Sequence, residues 1–335
     1  MSNKKNFVII LLGEDMKKTK LKLKKNVWIF LGGIAFLALI IFIGIQFYHN
    51  AQYKKTNMYK LLEAGYQKEE IKLLEQKLDE EEITDIAQKE KDEFLIEILK
   101  DDYFIQNNLD RYIHYHNENE GKSARQVVSF VNTNNDYEYY THDLDTDVNQ
   151  DYLMLVNKYY HLNSSYEPDD LVNINNKYYY GEGHKIRKIA YDAFIDMWNQ
   201  ANQAGIYLII NSSYRTFQEQ QKVYDGYKDS QGTTYADSIA ARPGYSEHQT
   251  GLSLDIFSKE NTTTSNFKDS PAYNWLTENA HKYGFIQRYQ KDTEDITGFK
   301  EEAWHWRYVG VDAATYIYEH NITFDEYYAY FILNK

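Results

Sequence analysis

The chain has 335 residues, enough for two folded units and a sizeable core. Its 43% hydrophobic and 26% charged residues, with a negative mean hydropathy, exclude both disorder along the full length and a multi-span membrane protein. A net charge of −13 disfavours nucleic acid as a partner, and the absence of cysteine removes disulfides, thiolate zinc sites and cysteine nucleophiles, so any metal must be held by His, Asp or Glu.

In chain order, residues 1–25 carry eight lysines against Glu14 and Asp15, a local excess of six positive charges that leaves −19 on the remainder. Residues 27–47, VWIFLGGIAFLALIIFIGIQF, contain no charge and one amide, Gln46. As a helix they span roughly 30 Å of hydrocarbon, a membrane-crossing length. Lys17, Lys18, Lys20, Lys22, Lys24 and Lys25 lie just before that run. The bias of lysine toward the cytoplasmic side predicts a cytoplasmic basic tail (1–26), a transmembrane helix (27–47) and an extracytoplasmic remainder. A cleaved signal peptide is the alternative, opposed by the length of the run and by the lack of a small-x-small site at YHNAQ.

Residues 48–150 are rich in Lys, Glu, Leu, Ile and Tyr and contain no proline. Leu61, Leu62, Ile71, Leu73, Leu74 and Leu78 recur at spacings near three and four, predicting short amphipathic helices. KDEFLIEILKDDYFIQNNLDRYIHY and SARQVVSFVN read the same way, with breaks at Gly65, Asn107-Asn108 and Gly121. The segment reads as a helical stalk or spacer, with binding of a wall polymer or partner protein as the alternative.

Over 151–335 the texture changes to alternating elements. A helix is predicted over 186–204, ending at Gly205, then a strand over 207–211 (YLIIN), and a polar helix over 217–228 after Ser212-Ser213-Tyr214-Arg215. Residues 229–247 read as a loop. GLSLDIF alternates, placing Leu252, Leu254 and Ile256 on one face and Asp255 on the other. A helix over 273–283, strands over 285–288 and from Trp304, and helices over 312–319 and 324–331 complete the pattern. The class is α+β, a small antiparallel sheet with flanking helices.

A catalytic zinc site needs three ligands from neutral imidazoles and carboxylates and an open fourth position. His248 ends a glycine-containing loop, Asp255 lies in the following strand and His305 in the later strand WHWRYV, so strand pairing can bring them together. Peptide hydrolysis also needs a base for the water proton. Glu302, three residues before His305, can hang beside a metal without ligating it, or be a plain loop glutamate beside Glu301. A carboxylate or oxyanion wants a rigid, permanently charged donor. Arg215, following a strand into a helix start, is the first candidate and Arg307 the second. G-x-S-x-G, G-x-x-x-x-G-K-[ST] and H-E-x-x-H are all absent, and nothing selects a sugar-cleaving carboxylate pair.

Together these residues resemble a known family. Ser246-Glu247-His248-Gln249-Thr250-Gly251-Leu252-Ser253-Leu254-Asp255 resembles the S-x-H-x-x-G-x-x-x-D motif of the VanY-like D-alanyl-D-alanine carboxypeptidases. Glu302-Ala303-Trp304-His305-Trp306-Arg307-Tyr308-Val309-Gly310 resembles their E-x-W-H-x-R-Y-V-G motif, and Ser212-Ser213-Tyr214-Arg215-Thr216 with Gln220 their S-x-Y-R-[ST] motif. The departures are Ser253, where alanine is usual, and Ala303, where proline is common. The resemblance covers 151–335 and implies the α+β metallopeptidase fold shared with lysostaphin-type enzymes and the hedgehog domain. It implies Zn2+ on His248, Asp255 and His305, Glu302 as general base, Arg215 on the substrate carboxylate or oxyanion, and Ser246 and Gln220 as substrate contacts. The expected activity is removal of the terminal D-alanine from peptidoglycan stem peptides. An L,D-carboxypeptidase trimming tetrapeptide stems, a non-catalytic wall-binding module and a structural spacer protein are the alternatives.

Overall fold

The computed structural model describes residues 25–333; most of the basic tail, residues 1–24, lies outside the described residues. The chain divides into two compact units, Met1–Lys91 and Asp92–Lys335. In the first, α1 (Lys25–Tyr53) runs six residues past the expected end at Phe47, since YHNAQY holds no helix breaker. Its apolar side chains are exposed, and it is long and apolar enough to cross a membrane or serve as a signal sequence. Short helices follow, α2 (Asn57–Glu63), α3 (Lys68–Lys77) and α4 (Glu80–Ile86). The side chains of Gln67 and Asp79 cap α3 and α4 reciprocally with Glu70 and Glu82. Leu61, Ile71, Leu74 and Ile86 are buried where these helices pack together.

The second unit takes in the C-terminal half of the expected stalk. Helices α5 (Glu93–Leu99), α6 (Leu109–Glu118) and α7 (Ala124–Asn132) enclose Ile98, Tyr112, Val127, Val128 and Val131. They also bind the chain's last helix: Ser129 donates to Glu326 at 2.7 Å, and Tyr103 stacks on Tyr330 at 3.8 Å. Residues 92–150 therefore belong to the compact unit that carries the sheet.

Two small pairs precede that sheet. Strands β1 (Leu144–Asp145) and β2 (Tyr160–His161) are parallel; β3 (Leu171–Asn173) and β4 (Lys185–Arg187) are antiparallel. Helix α8 begins at Lys188, not at 186, because Ile186 is taken by its pairing with Val172. Then come β5 (Leu208–Ser212), α9 (Phe217–Gln231), α10 (Thr233–Ile239), β6 (Ser253–Ser258), α11 (Thr264–Phe267) and α12 (Pro271–Asn279). The chain closes with β7 (Phe285–Gln287), α13 (Glu294–Thr297), β8 (His305–Tyr308), α14 (Val311–His320) and α15 (Phe324–Phe331). The expected loop at 229–247 contains α10: Gly232, at φ +85°, ends α9, and a new helix starts that buries Ala236 against Tyr224.

The four-stranded sheet has the order β5-β6-β8-β7 and is antiparallel throughout. Leu254 and Ile256 of β6 join Trp306 and Tyr308 of β8, and Phe194 and Met197 of α8, in the main core. That face follows the expected alternation. The opposite face is buried too, at Ser253, Asp255 and Phe257. Side chains on this covered face build the site.

Lys158 is 3% exposed, with its ammonium donating to the carbonyl oxygens of Asp237 and Gly298 at 2.7 and 2.6 Å and lying 4.6 and 4.4 Å from the Tyr139 and Phe299 ring centres. Burial pushes it down from 10.5 to about 8. Between those values the unfolded chain holds a proton that the folded chain has lost, so stability rises as pH increases through that window. The contribution expected from Lys158 between about pH 7.5 and 9.5 is roughly 1–2 kcal/mol, against an opposing one from buried tyrosines that ionise more readily in the unfolded chain. Urea unfolding at the two pH values checks this: the tyrosine contribution is common to both proteins, so the stability of the native chain relative to Lys158→Met, which has no proton to lose, is expected to rise by that amount.

Candidate metal centre and active-site cleft

The site lies at the paired ends of β6 and β8. Asp255 and His305 are directly opposite in the antiparallel register, which sets the Asp255 carboxylate 3.2 Å from His305 Nδ1. His248 enters from a short 3-10 turn, Glu247–Thr250, that ends at Gly251 in the left-handed region. A side chain at Gly251 would meet Leu171 at 2.9 Å and Arg187 at 3.0 Å. His248 Nδ1 donates to the Ser213 carbonyl oxygen at 2.7 Å, which leaves Nε2 facing Asp255 at 3.5 Å. One donor atom from each of His248, Asp255 and His305 lies within 4.8 Å of the others, and all three residues are buried.

This set is chemically suited to zinc: two imidazoles and one carboxylate, on a face that opens into a cleft of about 220 Å³. Burial and the nearby Arg215 guanidinium push His248 down to about 4, keeping its imidazole neutral. At His305 burial also lowers the value, but hydrogen bonds to Asp255 and Glu247 outweigh it and raise it to about 9. Burial would raise Asp255, yet the two histidines hold it well below the usual carboxylate range. The field that keeps a proton on His305 equally favours a cation in its place.

Glu302 hangs from the turn before β8, with Oε2 3.9 Å from His305 Nδ1. It is not a plain loop glutamate: burial, the largest influence, pushes it up to about 7. Arg215 follows β5 and lies across the cleft, with Nη1 donating to Gln220 at 2.6 Å, Nη2 4.0 Å from Asp255, and a buried Nε that has no partner among the described residues. Ser246 lines the same cleft. Gln220 is 2% exposed, its oxygen taken by Arg215 and its nitrogen by the Ala241 carbonyl at 2.8 Å. It lines the cleft beside Arg215, whose guanidinium it holds.

Arg307, the second choice for the oxyanion, does not reach the cleft. It is 0% exposed and bonds Glu247 at 2.9 Å and the carbonyl oxygens of Tyr152 and Met154 at 3.1 and 2.7 Å. The residue on the same strand face as His305 points away from the open side because Glu247 captures it. Glu247 itself, with Arg288 and Asp325, forms a buried charge network that no sequence motif announces. The available signal is a charged residue directly before a buried ligand histidine, which burial permits only if a counter-charge is built in.

The family model described as VanY, D-alanyl-D-alanine carboxypeptidase, matches residues 183–311. The chain is 41% identical over 181 residues to YodJ of Bacillus subtilis (strain 168), covering 52% of this chain and 66% of that protein, just under two thirds of its length. It is 32% identical over 240 residues to a D-alanyl-D-alanine carboxypeptidase of Enterococcus faecium, covering 65% of this chain and 75% of the relative. Among solved structures it is similar to the LdcB LD-carboxypeptidase, described in terms of peptidoglycan recognition, with 37% identity and a TM-score of 0.53 over 58% of this chain and 92% of that one. With three motifs gathered around one buried His-Asp-His cluster and these matches spanning them, the chain belongs to the VanY-like D-alanyl-D-alanine carboxypeptidase family.

Proposed function

We propose that this chain is a membrane-attached zinc carboxypeptidase that removes the terminal D-alanine from peptidoglycan stem peptides outside the cytoplasmic membrane. The observation that carries the reading is the convergence of His248, Asp255 and His305 with Glu302 3.9 Å from His305. A zinc ion held by the three residues would polarise the scissile carbonyl and acidify the attacking water. Glu302 takes the water proton and returns it to the leaving amine, a transfer for which a carboxyl near 7 is well poised. Arg215, with its unpartnered Nε, offers fixed positive charge to the peptide's terminal carboxylate or to the developing oxyanion. Gln220 holds that guanidinium in place.

The apolar helix α1 behind a lysine-rich tail supports attachment with the N-terminus inside and the cleft outside. D,D cleavage of pentapeptide stems agrees with the Enterococcus faecium relative, while similarity to LdcB favours L,D cleavage of tetrapeptide stems as the second reading. Incubating zinc-loaded protein with synthetic pentapeptide and tetrapeptide stems separates them: D-alanine from the pentapeptide is expected, and release from the tetrapeptide alone moves the assignment to L,D. Exhaustive chelation is expected to abolish turnover and zinc to restore it. Full activity after chelation, or no D-alanine from either peptide, overturns the proposal.

A further inference from the structure

We infer that Glu247 is the positioning residue that makes His305 bind metal through Nδ1, and that it does so by fixing which ring nitrogen carries the proton. The inference rests on the proposed metal site and adds to it a residue that never touches the cation.

The geometry is specific. His305 Nδ1 faces Asp255 at 3.2 Å, while Nε2 lies on the opposite side of the ring, 3.2 Å from Glu247 Oε2. Glu247 is 1% exposed, so its lone pairs have protein partners only. Oε1 accepts from Arg288 Nε at 2.8 Å and Arg307 Nη1 at 2.9 Å; Oε2 accepts from Ser253 Oγ at 3.2 Å and from the His305 ring. A carboxylate facing two guanidiniums at hydrogen-bond distance stays ionised and can only accept. His305 must then donate from Nε2, which frees the Nδ1 lone pair for the cleft. His248 is the mirror case: the Ser213 carbonyl takes its Nδ1 proton and leaves Nε2 free. The two imidazoles thus present different nitrogens to one point, each selected by an acceptor behind the ring. A carboxylate behind a metal-binding histidine typically contributes 10–100-fold to metal affinity.

Two measurements on the full chain test this. Zinc affinity, read by competition with a chromogenic chelator, is expected to fall about 10–100-fold in folded Glu247→Gln. A purely structural role would lower the unfolding midpoint and leave the affinity of the folded protein unchanged. The second measurement needs no variant and decides the matter if Glu247→Gln does not fold. Imidazole 15N shifts of the zinc-loaded native chain are expected to show His305 metal-bound at Nδ1 and protonated at Nε2. Zinc bound at His305 Nε2, or a folded Glu247→Gln with native affinity, overturns the inference and leaves the metal site standing. Native protein that binds no zinc overturns both.

Discussion

Glu302→Gln is expected to lower kcat by roughly 10²–10⁴-fold while the protein still binds one zinc ion. Glutamine preserves the size and polarity of the side chain and removes its capacity to take and return a proton. Glu302 is not among the three residues whose donor atoms lie within 4.8 Å of one another, so the cation's binding set is untouched. The environment explains why a glutamate here suits proton transfer: burial raises it to about 7, with His305 and Arg215 pulling the other way and Asp255 adding to the rise. Such a group is ionised often enough to accept a proton near neutrality and basic enough to make acceptance favourable. Steady-state kinetics on stem peptides alongside metal analysis by mass spectrometry gives the answer. A variant that turns over at the native rate with native zinc content removes Glu302 from the proposed chemistry; a variant that loses zinc instead makes Glu302 a contributor to the metal site.

Much of this arrangement is legible in the sequence. Residues 252–256 alternate strictly, so Asp255 had to leave the face that carries Leu254 and Ile256, and the antiparallel register then sets it opposite His305. The helices at 312–319 and 324–331 were readable for the same reason, since their apolar residues recur at helical spacing and a threonine with a glutamate three residues on caps the second. Three things were not. The short strands β1 to β4 hold two or three residues each, too few to show a period, and exist because partners far along the chain complete them. Helix α10 was hidden because TTYADSI lacks a periodic apolar face; its one deeply buried residue, Ala236, packs in a small satellite cluster with Tyr224 and Ala240. The role of Arg307 is not legible there, because spacing shows which strand face a side chain takes, but not the counter-charge waiting on it. A buried carboxylate four places before Gly251 decides that, and only the folded chain brings it within reach.

Asp325→Ala is expected to destabilise the second unit by about 3–5 kcal/mol, the cost of leaving a buried charge uncompensated. Arg288 and Arg307 are each wholly buried, and so are the two carboxylates that neutralise them, Glu247 and Asp325. Arg288 donates to Asp325 at 2.6 Å and to Glu247 at 2.8 Å, while Arg307 draws on Glu247 alone among the carboxylates. Deleting Asp325 therefore leaves two guanidiniums to share one acid, beside an Arg288 Nη2 that already has no partner among the described residues. The loss spreads further, because Asp325 accepts from Asn157 at 2.8 Å, and the Asn157 oxygen in turn accepts the backbone N–H groups of Tyr159 and Tyr160 at 2.9 Å. Asp192→Ala is the control: its carboxylate pairs with Lys188 on the surface of α8, where both side chains are more than half exposed, and its removal is expected to cost less than about 1 kcal/mol. Acid should weaken the same network through Glu247. Burial would raise Glu247, but Arg288 and Arg307 hold it far below its ordinary 4.5, so the network's contribution is complete above that pH and is lost as pH falls toward the depressed value. Urea unfolding of the three proteins at neutral pH, followed through the tyrosine-rich core, measures the difference; equal midpoints for Asp325→Ala and Asp192→Ala would show that no such buried network holds the C-terminal helix to the ligand-bearing strands.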